Sequence, residues 1–183
     1  MWLIAYALPA VVAGTAIKTL PGKMGSARNM AIVHAALIVS TLTSNYFIRE
    51  SGRAFPWQPH ALSLAAYIAS ALIACAIIGR LGIWYGASAL IQQVTMASAT
   101  FMLLPDLSAP AMVLLLVPIF VWGHTIRTAH WQIRTIVLTV WGALSVYLFS
   151  LWLDFYLLAA LHTVFGSILI SRSIIHPGRQ ANA

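Results

Sequence analysis

The chain has 183 residues, 61% of them hydrophobic and 7% charged, with a formal net charge of +7. A soluble domain carries about 25% charged residues, so this composition excludes an ordinary water-facing surface and leaves no length for a soluble domain beside about seven membrane helices of ~20 residues. The positive excess shows neither a Lys/Arg run nor a basic face interleaved with aromatics, which argues against nucleic acid as a partner and for marking of one membrane face.

Spans are predicted at 2–17, 30–48, 61–79, 81–103, 108–126, 134–152 and 155–171. The first begins Met1-Trp2-Leu3-Ile4 with no positive charge ahead of it, and Lys18, Lys23 and Arg28 follow it. A cleavable signal peptide has the reverse order, so an uncleaved helix with its N-terminus outside is expected. Pro9 lies in this span and Pro118 in the fifth, and each predicts a kink by removing a backbone hydrogen bond. Arg49 to His60 is the longest outer connection, and Pro56 and Pro59 keep it from being helical throughout. The third span carries small residues at helical spacing (Ala61, Ala65, Ala69 and Ala66, Ser70, Ala74) that favour close helix packing. Its one cysteine, Cys75, reads as a small buried hydrophobe. Gly79-Arg80-Leu81-Gly82 predicts a tight inner turn and Trp152-Leu153-Asp154-Phe155 a tight outer one, so the flanking helices are expected as antiparallel neighbours.

With seven crossings, Lys18, Lys23, Arg28, Arg80, Arg127, Arg134, Arg172 and Arg179 fall on one side. The other side receives Arg49, Arg53 and every acidic residue: Glu50, Asp106 and Asp154. The positive-inside bias then puts the N-terminus outside and the C-terminus in the cytoplasm. Trp2, Tyr46, Trp57, Tyr147, Trp152 and Tyr156 fit an outer aromatic belt, and Trp84, Tyr85, Trp122 and Trp131 an inner one. Trp141 fits neither and is expected between helices. The expected fold is an all-α polytopic integral membrane bundle of about seven transmembrane helices. Residues 1–172 form its single domain and 173–183 a short cytoplasmic tail, in a cell inner membrane.

No Asp, Glu or Arg falls at mid-membrane, and Lys18 can snorkel from a helix end. That argues against a pump built on a buried carboxylate and against a retinal protein. The candidates left are histidines and neutral polar groups. Tyr85, Ser88, Gln92 and Thr95 are spaced i, i+3, i+7, i+10 and share a helix face, either as glue between helices or as the lining of a ligand site. His162 lies near mid-span, where an imidazole needs a partner, and His124 lies one turn before Arg127. His34, His124 and His162 on three helices are the set from which a metal or haem would draw ligands. His60, His130 and His176 read as solvated.

Two short patterns bear on enzymatic chemistry. Gly86-Ala87-Ser88-Ala89 superficially resembles the Gly-x-Ser-Gly nucleophile of rhomboid-type proteases but lacks the final glycine. From about Gly82 to Ile170 the chain resembles the CAAX-protease and bacteriocin-processing family of membrane proteins. Phe120-Val-Trp-Gly-His124 matches that family's Phe-x-x-x-His motif, and His162-Thr-Val-Phe165 matches its His-x-x-x-Asn motif at the histidine alone. The resemblance implies His124 and His162 as catalytic residues. The segment that would hold the family's two glutamates reads Ile83-Trp84-Tyr85-Gly86, without a carboxylate or the arginine. The family's water activation by glutamate is therefore not expected here, and a divergent relative is implied.

The leading expectation is a small non-enzymatic subunit or binding module of a membrane complex, in contact with the bilayer and with a membrane-protein partner or a second copy. The alternatives are a divergent intramembrane protease-like enzyme on a peptide or lipid-linked substrate, a haem-binding electron-transfer subunit, and a small-solute transporter.

Overall fold

The computed structural model describes residues 27–124 and 131–172, together with Ala7, Leu8, Val11 and Thr15. Most of the first predicted span, residues 18–26, the segment with Arg127 and His130, and the tail 173–183 lie outside the described residues. The described residues form six helices and no strand: α1 Ala27–Glu50, α2 Ala61–Ile78, α3 Leu81–Leu103, α4 Ala109–His124, α5 Trp131–Trp152 and α6 Phe155–Ser171. They match the second to seventh predicted spans within a few residues.

Three of these are long and apolar enough to cross a membrane, in the windows Ala31–Glu50, Ala61–Ile78 and Trp131–Trp152. The apolar stretches of α4 and α6 are shorter. α3 has the length, 23 residues, but its interior is rich in Ser, Thr, Gln and Gly. The distribution of side chains is inverted relative to a water-soluble bundle. Leu42, Leu62, Leu72, Ile83, Leu114, Ile136 and Phe165 project outward, whereas Ser44, Ser98, Thr100, Thr163 and Ser167 are fully buried. Exposed apolar faces of this extent seek hydrocarbon or a partner. Three of these buried hydroxyls bond backbone carbonyls one turn back: Thr100 to Met96 O at 2.8 Å, Thr163 to Ala159 O at 2.7 Å and Ser167 to Thr163 O at 2.6 Å.

α3 is the hub and touches every other described helix. Side-chain pairs fix the directions. His34–Ser88, Thr41–Thr95 and Asn45–Ser98 advance together, so α1 and α3 run parallel. Tyr85 lies beside Gly166 and Gln93 beside His162, so α6 runs antiparallel to α3. Ser63 donates to Asp154, and the Tyr67 and Tyr156 rings lie 6.4 Å apart, so α2 and α6 run parallel. The described helices thus alternate in direction, and the two ends differ in charge. One end holds Arg80, Arg172 and the start of α5 with Arg134. The other holds Arg49, Arg53 and all three acidic residues.

Turn chemistry explains the tight connections. Gly79 ends α2 at φ 64°, a conformation side chains rarely adopt, and its N–H reaches Cys75 O at 2.8 Å. Across that turn Gly82 meets the α2 backbone: a Cβ there would overlap Cys75 N and the Ala74 carbonyl. Of the two small-residue stripes on α2, the one with Ser70 and Ala74 faces inward, and Ala61, Ala65 and Ala69 are exposed. At the acidic end Asp154 caps α6, accepting from Leu157 N at 3.1 Å, and also accepts from Ser63 of α2. The loop after α1 turns inward there. Phe55 is buried, stacks on Phe155 at 5.6 Å and Phe149 at 6.1 Å, and meets the edge of Phe101 at 5.7 Å. Arg53 lies 4.2 Å over the Phe101 ring, a cation–π contact that fastens the loop. A second core, Met96, Leu103, Met112, Leu116, Phe120, Leu138 and Val146, joins α3, α4 and α5.

Candidate functional site

The polar residues of α3 divide between two seams. The first faces α1. Ser88 Oγ and His34 Nε2 are 2.9 Å apart, and Gln92 Nε2 donates to the same Ser88 Oγ at 3.2 Å. Farther along, Thr41 and Thr95 hydroxyls meet at 2.9 Å, Thr95 also donates to Ile91 O at 2.8 Å, and Asn45 Nδ2 donates to Ser98 Oγ at 3.1 Å. These bonds repeat along the length of both helices and consume the polar groups that make them. They do what interhelical hydrogen bonds in a bilayer generally do, which is hold two helices together.

The second seam faces α5 and α6 and is built differently. Tyr85 sits one turn inside α3, and its hydroxyl occupies the space that a Cβ on Gly166 of α6 would fill. Only glycine at 166 admits it. Arg134, on the first turns of α5, interacts electrostatically with the Tyr85 hydroxyl. Deeper, Gln93 Nε2 donates to His162 Nδ1 at 3.0 Å, which leaves the proton of the neutral ring on Nε2. The Tyr85 ring lies edge-on to His162 at 6.0 Å, and the Trp141 indole lies 5.4 Å away on another side. Gln93 is 2% exposed and His162 9%, so both lie inside the protein.

Four buried atoms on this side have no hydrogen-bond partner: Gln93 Oε1, Trp141 Nε1, Arg134 Nε and Ser145 Oγ. On the α1 side there is one, Ser44 Oγ. Arg134, Leu138, Trp141 and Ser145 are spaced i, i+4, i+7, i+11, so α5 presents three of the four from a single face. A buried unpaired polar group costs about 1–3 kcal/mol, and hydrocarbon offers no water to relieve it. Four together are a poor way to hold helices and a suitable way to read a ligand.

Of the residues singled out in the sequence, Ser88, Gln92 and Thr95 therefore lie along the α1 seam and Tyr85 reaches the α6 seam. His34 joins the first, His162 the second. His124 is at the end of α4, with its side chain outside the described residues; Phe120, four residues before it, packs over Gly142, where an added Cβ would come within 3.1 Å of the ring. Among the described residues no three His, Cys, Asp or Glu side chains form a group that holds a metal. Gln93, Arg134, Ser145 and Gly166 were not site candidates in the sequence. The α5 periodicity Arg134-Leu138-Trp141-Ser145 was the signal for three of the second seam's residues, since a stripe with an arginine and an indole is out of place on a face that meets other helices.

Comparison with protein-family models, with curated proteins and with solved structures finds no match to this chain.

Proposed function

We propose that the chain is a small non-enzymatic binding module of a cell inner membrane, alone or as a subunit of a larger complex, that holds a small amphiphilic molecule between α3, α5 and α6. The observation that carries this reading is the set of four unpartnered buried atoms on the side of α3 that faces α5 and α6, with Gln93 and Trp141 beside His162. They offer an acceptor at Gln93, donors at Trp141 and Arg134, and a hydroxyl at Ser145, in an otherwise apolar setting. Few, well-placed polar groups in an apolar cleft are the usual make-up of a small-molecule site.

In this reading the chain crosses the membrane seven times, with its N-terminus outside and the basic end of the bundle in the cytoplasm. The apolar exterior and the alternating helix directions support multiple crossings. The site then reaches from the cytoplasmic interface to mid-membrane, because Tyr85 and Gln93 lie ~6 and ~18 Å into α3 by helical rise. The protease-like alternative, acting through His124 and His162, is disfavoured by charge placement. Asp154, the nearest along α6 of the three acidic side chains, lies ~12 Å from His162 by helical rise and caps the helix, so none of the three assists His162.

The test is purification of the full chain in mild detergent with mass analysis of what stays bound. Wild type is expected to retain a small molecule near one per chain. Ser145→Ala and Trp141→Phe should each reduce it about tenfold, the loss of one good hydrogen bond. Ser145→Ala should not lower the melting temperature, because its hydroxyl bonds nothing in the chain. A wild-type protein with nothing bound, together with a lower melting temperature for Ser145→Ala, would contradict the reading.

A further inference from the structure

We infer that the molecule bound in this site presents a phosphate oxyanion to Arg134, an inference that rests on the binding reading above. Arg134 is the fourth residue of α5, inside a helix apolar enough to cross a membrane. Its side chain is partly buried and its Nε has no partner. The chain has three acidic side chains, Glu50, Asp106 and Asp154, and all sit at the far end of the bundle. From Arg134 to that end is ~27 Å along α5, beyond the reach of any side chain. Tyr85, a phenol and not a carboxylate, is the described group in electrostatic range. Arg80 and Arg172, at the same end, are exposed and meet water or headgroups. Among the described residues of this end, Arg134 is the guanidinium drawn into the protein, and none of Glu50, Asp106 and Asp154 reaches it. A charge so placed is costly unless paired, and a phosphate is the anion whose geometry the guanidinium fork fits with two parallel bonds.

The order of groups with depth refines the ligand. Trp141 Nε1–H lies two turns beyond Arg134 on the same face, ~10 Å deeper, and Gln93 Oε1 is nearby, across His162. A phosphate at Arg134, followed inward by an ester oxygen that accepts from Trp141 Nε1–H, followed by an apolar tail, is the layout of a lipid phosphate. The phosphate itself has two possible sources, a lipid headgroup or the free ion.

The experiment is native mass spectrometry of the full chain from neutral detergent with three probes: phosphatidylglycerol, the matching diacylglycerol without phosphate, and inorganic phosphate alone. Phosphatidylglycerol should stay bound at least about tenfold better than diacylglycerol, as expected for a charge-assisted pair. Arg134→Gln should remove that preference, and Arg134→Lys, which keeps the charge without the fork, should keep part of it. Arg80→Gln and Arg172→Gln should leave it intact. Retention of inorganic phosphate that Arg134→Gln abolishes would identify the free ion as a sufficient source. Equal retention of the two lipids by wild type, or equal losses in all three arginine-to-glutamine variants, overturns the inference, and the lipid comparison needs no variant to fold. If Trp141→Phe loses the bound molecule while Arg134→Gln keeps its lipid preference, the site stands and the phosphate assignment falls. If wild type retains no small molecule at all, the binding reading falls first.

Discussion

Gly82→Ala is expected to destabilise the bundle by about 3 kcal/mol or more, at the upper end of what overpacking costs. The added methyl meets the Cys75 amide nitrogen and the Ala74 carbonyl, which are main-chain atoms of α2. A side chain can rotate out of the way; a helix backbone cannot, so α2 and α3 must separate. Gly79 two residues before α3 makes this worse, because the turn it permits holds the hairpin at one spacing. Gly86 is the control one turn along. A methyl added there would lie 3.5 Å from Ala71 Cβ and 3.6 Å from Thr163 Cγ2, which is ordinary contact. Gly86→Ala should stay within about 1 kcal/mol of wild type, because alanine's better helix propensity offsets the tighter fit. Thermal melting in detergent checks the pair, and equal effects at the two positions would contradict the close crossing.

Phe55→Ala is expected to cost about 3–5 kcal/mol, the usual loss for a buried phenylalanine. Phe55 is 5% exposed although it lies in a loop, and it contacts rings from α3, α5 and α6. Removing it opens the acidic end of the bundle where Ile48, Phe101, Phe149, Phe155 and Leu158 converge. Trp57, two residues on and about half exposed, packs on the edge of the same cluster, so Trp57→Ala should cost far less. Equal melting temperatures for the two variants would show that the loop does not plug that end.

The helices from α1 to α6 were legible because each is an apolar run bounded by charge, glycine or proline. The two tight turns were legible for the same reason: Gly79 and the Leu153-Asp154 pair supply the backbone conformation and the cap that a short connection needs. The inward turn of Phe55 was not, because one aromatic beside two prolines looks the same whether it caps the bundle or faces the interface. The site was only partly legible. Spacing placed Tyr85, Ser88, Gln92 and Thr95 on one face of α3, but a face that touches both α1 and α6 serves two seams, and helical periodicity carries no information on lateral neighbours. His162 stood out because an imidazole in hydrocarbon needs a partner, but which of the adjacent glutamines supplies it depends on the rotation of α3. Arg134 was read as a marker of topology, which its position at a helix start supports, and its second property, burial without a carboxylate, required the packing of α3 against α5.

The threading is tested most directly by which side of the membrane each end of the bundle faces. In a Cys75→Ser background, Gln58→Cys lies in the exposed loop at the acidic end and Ser173→Cys follows α6. The account has five crossings between them, with the loop outside. A membrane-impermeant maleimide added to intact cells should label Gln58→Cys at once, and Ser173→Cys only after permeabilisation. Labelling of both positions in intact cells, or of Ser173→Cys alone, would contradict the threading and with it the cytoplasmic opening of the site.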